Sequence, residues 1–177
     1  MPTYRRCPKE VNDLANAILC EFETHKPLLD ARVKIDFVFA IPETDEDNQP
    51  VNDALKCNGV KALGIAKIIG LKERALDRGD AEIAIDGYWW NQAGEDERRA
   101  LLDHELHHLS VQKEKNGTIK TDDLRRPLIE LRKHDYQFGW FKIVASRHGT
   151  WSQERIQAGI MMSSSGQLFW PEIVAQA

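Results

Sequence analysis

The chain has 177 residues, 42% of them hydrophobic and 29% charged, with a formal net charge of −4. Such a composition fits one globular domain with a sizeable core and excludes a protein whose whole surface binds nucleic acid. The three cysteines, Cys7, Cys20 and Cys57, form no CxxC pair, which excludes a zinc ribbon or dithiol motif and fits free thiols in a reducing cytosol.

The opening "MPTYRRCPKEVNDLANAIL" carries no signal-peptide apolar region, and no run approaches the ~18 residues of a membrane span. A soluble, cytoplasmic protein is therefore expected. After Pro8, apolar residues at Val11, Leu14, Ile18, Leu19 and Phe22 recur at helical spacing and predict an amphipathic helix. "RVKIDFVFA", residues 32–40, is β-branched and aromatic and reads as a strand, and the acidic stretch 43–53 reads as a loop. "VKALGIAKIIG", residues 60–70, is apolar apart from two lysines and reads as one buried strand; residues 71–80 form a turn or short helix. "AEIAID", residues 81–86, alternates as a strand does, either as an interior strand or as an edge on which an extended peptide could pair. "YWW", residues 88–90, suits the core better than a cleft, given the area it buries.

Residues 91–112 predict a helix with acidic residues crowding its first turns, where they suit the helix dipole. Asn116-Gly117 signals a hairpin, "PLIELR" at 127–132 an extended segment, and 135–149 a helix closed by Gly149. The tail, 161–177, has a Ser/Gly linker and an apolar Leu168-Phe169-Trp170 that packs on the domain or on a partner. The chain thus divides into a domain, 1–160, and a tail, 161–177.

The chemistry concentrates in "DHELHHLS", residues 103–110. At roughly 100° per residue, His104 and His108 share one helical face while Leu102, Leu106 and Leu109 form a stripe roughly opposite. Glu105 lies at the edge of the histidine face. This is an HExxH arrangement: two imidazoles four residues apart can converge on one zinc, and the carboxylate can take a proton from the zinc-bound water without being a ligand. His107 reads as a flanking residue. A catalytic zinc normally has a third protein ligand, for which Glu114, Asp122, Asp123, Glu130, His134 and Asp135 are candidates. Glu130 would give a His-His-Glu site. His134, at the start of the next predicted helix, is favoured because imidazole is a preferred zinc donor. Asp135 suits a helix cap or a carboxylate hydrogen-bonded to a ligand. Tyr88, Tyr136, Arg147 and His148 are candidates to stabilise an oxyanion, and His25 reads as an exposed helix histidine.

"LLDHELHH", followed a hairpin later by "KHDYQF" and an aromatic helix ending "RHG", resembles the phage and prophage zinc metallopeptidases over roughly residues 33–150. More distantly the chain is similar to the SprT-type proteases, although Asp135 stands where their third histidine is followed by glycine. The resemblance implies an α+β, zincin-like domain with a small mixed sheet packed on the HExxH helix. It further implies one zinc per chain held by His104, His108 and His134, with Glu105 as base. The expected activity is hydrolysis of a protein or peptide substrate in a bacterial host cell, with no membrane partner and no indicated nucleic acid. The alternative is a non-catalytic zinc-containing module that binds protein or nucleic acid on a protease-like fold.

Overall fold

The computed structural model describes residues 1–134 and 141–164. A first strand, β1 (Thr3–Arg6), leads through Pro8 into α1 (Lys9–Glu21), which buries Val11, Ala15, Ile18 and Leu19. The helix stops at Phe22, whose backbone is extended. Continued past that point, it would drive the Pro27 ring into the carbonyl of Glu23. A 3-10 turn, Glu23–His25, and a short helix, α2 (Lys26–Asp30), carry the chain on instead.

β2 (Ile35–Ile41) begins the mixed sheet. The apolar run 60–70 is not one strand. β3 (Leu55–Cys57) turns through Asn58 and Gly59, both at positive φ (51° and 81°), into β4 (Val60–Ala62). Beyond Leu63, β5 (Gly64–Ile68) joins the main sheet. A short helix, α3 (Leu71–Ala75), then precedes β6 (Ala81–Asp86). The sheet order is β1-β2-β6-β5, with β6 parallel to β2 and antiparallel to β5. β6 is therefore interior and buried along its length, which corrects the edge-strand alternative for residues 81–86; β1 and β5 are the outer strands, β5 on the side of β6.

One face of the sheet carries Phe37, Phe39, Ala81, Ile83 and Ile85 into the main core. The other places Ala40 and Ala84 beneath the β3–β4 hairpin with Ala54 and Leu55. After β6, the Asp86 carboxylate caps α4 (Gly87–Gln92), accepting from the Tyr88 and Trp89 N–H groups. Trp90 enters the core against Phe39.

α5 (Glu95–His107) begins where Glu97 accepts the Gly94 N–H at 2.8 Å. It lays Leu101, Leu102 and Leu106 on the sheet and α1. Fully burying each such side chain stabilises by about 1.5–3 kcal/mol. The helix is shorter than the sequence suggests. His108 closes it, and Leu109–Val111 is a strand, β7, paired antiparallel with β8 (Ile129–Leu131). Leu109 still reaches the core, but as a strand residue. Between β7 and β8 the chain makes two turns, at Glu114–Thr118 with Gly117 at φ 88° and at Asp122–Arg126 with Arg125 at φ 57°. Arg74 and Arg126 both bind the buried Asp80, and Arg74 also binds Asp122, which pins this arm to α3. The last described elements are α6 (Lys142–His148), a 3-10 turn and α7 (Gln153–Ser164). The fold is a mixed α+β domain, as expected. Among the described residues no helix is long and apolar enough to cross a membrane. Leu168-Phe169-Trp170 lies outside the described residues.

Candidate metal centre

The last turn of α5 and the coil after β8 bring His104, His108 and His134 together, with one ligand atom from each lying within 4.8 Å of the others. The outer nitrogens of two rings are already engaged. His104 Nδ1 donates to Glu154 Oε1 at 2.6 Å, and His108 Nδ1 donates to the Arg132 carbonyl at 2.9 Å. Each bond fixes a tautomer that leaves Nε2 as a lone-pair donor. His104 Nε2 and His134 Nε2 stand 3.3 Å apart. Two nitrogens on adjacent corners of a tetrahedral zinc, at about 2.0–2.1 Å from it, are separated by about 3.3–3.4 Å. The donor set and spacing fit such an ion. Phe141, fully buried, is the floor of the site: its ring centroid lies 5.0, 4.8 and 4.9 Å from those of His104, His108 and His134.

Glu105 is 3% exposed and packs against the outer strand β5. Burial pushes its carboxyl up to about 7, against the opposing pull of the His104 charge and of the Ala66 N–H that hydrogen-bonds it. Burial also lowers His108 to about 4, which favours the neutral, ligating imidazole. At His104 burial acts in the same direction, but the Glu154 hydrogen bond and nearby carboxylate charges outweigh it and raise the value.

Asp103 and His107 form a second i,i+4 pair on α5. Asp103 is fully buried and accepts from His25 Nε2 (2.6 Å), His148 Nε2 (2.8 Å) and Arg147 (3.0 and 3.1 Å). Burial opposes its ionisation, yet these donors hold its carboxyl far below the ordinary range. His25 is thus not an exposed helix histidine. It is 1% exposed, and its hydrogen bond to Asp103 ties the 3-10 turn to α5. His107 Nε2 accepts from Arg132 at 2.8 Å and its ring packs on Phe141, so it stands outside the triad.

The remaining sequence candidates fall as follows. Arg147 and His148 hold Asp103, and the Tyr88 hydroxyl donates to Gln49 at 3.0 Å. Glu130 is exposed on β8 and is not among the converging donors. His134 precedes the helix it was expected to begin, since α6 starts at Lys142. Asp135 and Tyr136 lie outside the described residues. Sequence reasoning missed Asp103, Phe141, Arg132 and Glu154. Asp103 and His107, four apart on the same helix, were a readable signal. Glu154, 50 residues from its partner, offered none beyond its place in an acidic first turn.

A mixed sheet packed on an HExxH helix, with a third imidazole delivered from downstream, has the form of a metallopeptidase. A family model described as "putative phage metallopeptidase" matches residues 3–161, and the chain belongs to that family. No curated protein and no solved structure gives a significant match.

Proposed function

We propose that the chain is a zinc-dependent peptidase, encoded by a phage or prophage, that hydrolyses peptide bonds in a protein or peptide substrate inside the bacterial host. One observation carries this reading: three imidazoles converge, all ligand atoms within 4.8 Å, beside the buried carboxylate of Glu105. His104, His108 and His134 would hold the ion. Zinc, when bound, supplies Lewis acidity that polarises a carbonyl and makes a water acidic enough to attack at neutral pH. The chain's own residues do the rest. Glu105 accepts the proton of the attacking water and passes it to the departing amine nitrogen, which regenerates the carboxylate. The Ala66 N–H and the walls around Gly64 hold that carboxylate in place between turnovers. Glu154 and the Arg132 carbonyl hold His104 and His108 in their ligating tautomers.

Metal analysis and proteolysis of the purified protein test the reading together. The wild type is expected to carry about one zinc per chain, His104→Ala to lose it, and Glu105→Gln to keep it while losing cleavage of an unstructured protein such as casein. A general base contributes about 10²–10⁴-fold to rate, so a Glu105→Gln variant with full activity would refute the base assignment. A wild type without zinc, or a His104→Ala variant with undiminished zinc, would remove the metal reading itself.

A further inference from the structure

We propose that Glu154 is a positioning residue of the metal centre: its carboxylate, from the first turn of α7, fixes the ring of His104 and thereby sets metal affinity. The inference rests on the zinc reading above. Glu154 is 2% exposed, and its Oε1 accepts from His104 Nδ1 at 2.6 Å and from the Phe141 N–H at 3.4 Å. Its Oε2 has no hydrogen-bond partner among the described residues.

Two observations separate this role from ordinary helix capping. First, the N-terminus of α7 has another cap: Ser152, fully buried, accepts the Arg155 N–H through Oγ at 3.2 Å. Second, among the described residues Glu154 forms its ion pair with His104 and with no lysine or arginine. A buried carboxylate is unfavourable without a positive partner. His104 becomes that partner when its Nε2 donates to a cation, because the ring then carries positive charge toward Nδ1–H. In return, the carboxylate raises the basicity of the ring and holds its plane toward the site. The pairing is therefore strongest when metal is bound, which is the signature of a group that tunes affinity. His108 is held differently, by the Arg132 backbone carbonyl, so of these two outer partners Glu154 is the one that side-chain substitution can remove.

The test measures zinc dissociation constants by competition with a chromophoric chelator, on the full chain at fixed pH, for wild type, Glu154→Gln and Glu154→Ala. Melting temperatures of the metal-free proteins are recorded alongside. Loss of such an outer carboxylate weakens metal binding about 10–100-fold. Glu154→Ala is expected in that range. Glu154→Gln, which keeps an acceptor oxygen but no charge, is expected to show a smaller loss that exceeds twofold. A merely structural role would lower the metal-free melting temperature and leave zinc affinity within twofold of wild type, which would overturn the proposal. Cobalt substitution supplies a second readout. The d–d spectrum of Glu154→Gln is expected to keep the wild-type coordination pattern, and a change in coordination number would make Glu154 a ligand and overturn the positioning role. If Glu154→Ala does not fold, the Glu154→Gln affinity decides alone. A wild type that binds no zinc would fail the zinc reading; a wild type that binds it, with variants that bind it equally well, would fail this inference only.

Discussion

Gly64 leaves no space for a side chain. A Cβ built there would stand 2.5 Å from Glu105 Oε1 and 2.7 Å from both its Cδ and its Cγ, so even a methyl group must displace the carboxylate. The clash is with side-chain atoms and not with backbone, so rotation of the Glu105 side chain relieves it and the substitution is tolerable for folding. The function proposed for Glu105 depends on where its oxygens lie, and a misplacement of about 1 Å can cost on the order of 10²-fold in rate. Gly64→Ala is therefore expected to keep its zinc and a cooperative melt while losing roughly that factor in kcat/KM. Metal analysis, calorimetry and peptide-cleavage kinetics on one preparation check this. Full activity in that variant would show that β5 does not constrain the base. The Gly64 contact was not legible in the sequence. Gly64 lies inside the apolar run 60–70 that read as one buried strand, and nothing local indicates that it faces a glutamate on a helix 41 positions later.

Two i,i+4 pairs run side by side along the last turn of α5. His104 and His108 face the site, whereas Asp103 and His107 face the scaffold, and with His134, His25 and His148 they gather all six histidines of the chain around one helix end. Helical spacing made the first pair legible as candidate ligands. The second was hidden because its partners are remote: His25 on the 3-10 turn and Arg147 and His148 on α6. Nothing in the local spacing of His25 separates a buried histidine from an exposed one. The sequence did contain the hairpin at Asn58-Gly59, since Asn-Gly flanked by strand residues is a strong turn signal. It was masked by the continuous apolar run that follows. Asp103 joins two elements, the 3-10 turn and α6, to α5, so removing its charge leaves Arg147 and two imidazoles facing a neutral amide. Breaking a buried, hydrogen-bonded charge pair from one side costs about 3–5 kcal/mol. Asp103→Asn is expected to lose stability of that order, read from the midpoint of urea unfolding on metal-free protein. A change below about 0.5 kcal/mol, the scatter of surface substitutions, would show that the 3-10 turn and α6 are held to α5 by apolar packing alone.

The α+β class and most elements were legible because each is set by local periodicity, while the sheet order was not, because strand pairing is a non-local choice. The same divide runs through the site: two candidate ligands lie four residues apart, and the third arrives only after the β7–β8 excursion. Metal binding at this triad would close a long loop, from His108 at the end of α5 to His134 beyond β8, and Glu154 would link that closure to α7. A ligand that binds only the folded chain stabilises it by about 2.7 kcal/mol at a free concentration one hundred times its dissociation constant. For a domain of this size that is a shift of roughly 5–10 °C in melting temperature. Chelator treatment is expected to lower the wild-type melting temperature by such an amount, and returned zinc to restore it. The same scan identifies the third ligand. His134→Ala is expected to melt near the chelated wild type and respond weakly to zinc, because it retains only the α5 pair. Glu130→Ala, which removes an exposed carboxylate from β8, is expected to keep the full zinc response. The reverse pattern would make the centre a His-His-Glu site and require β8 to turn its Glu130 face inward, at the expense of the Ser110–Glu130 register that β7 and β8 now share.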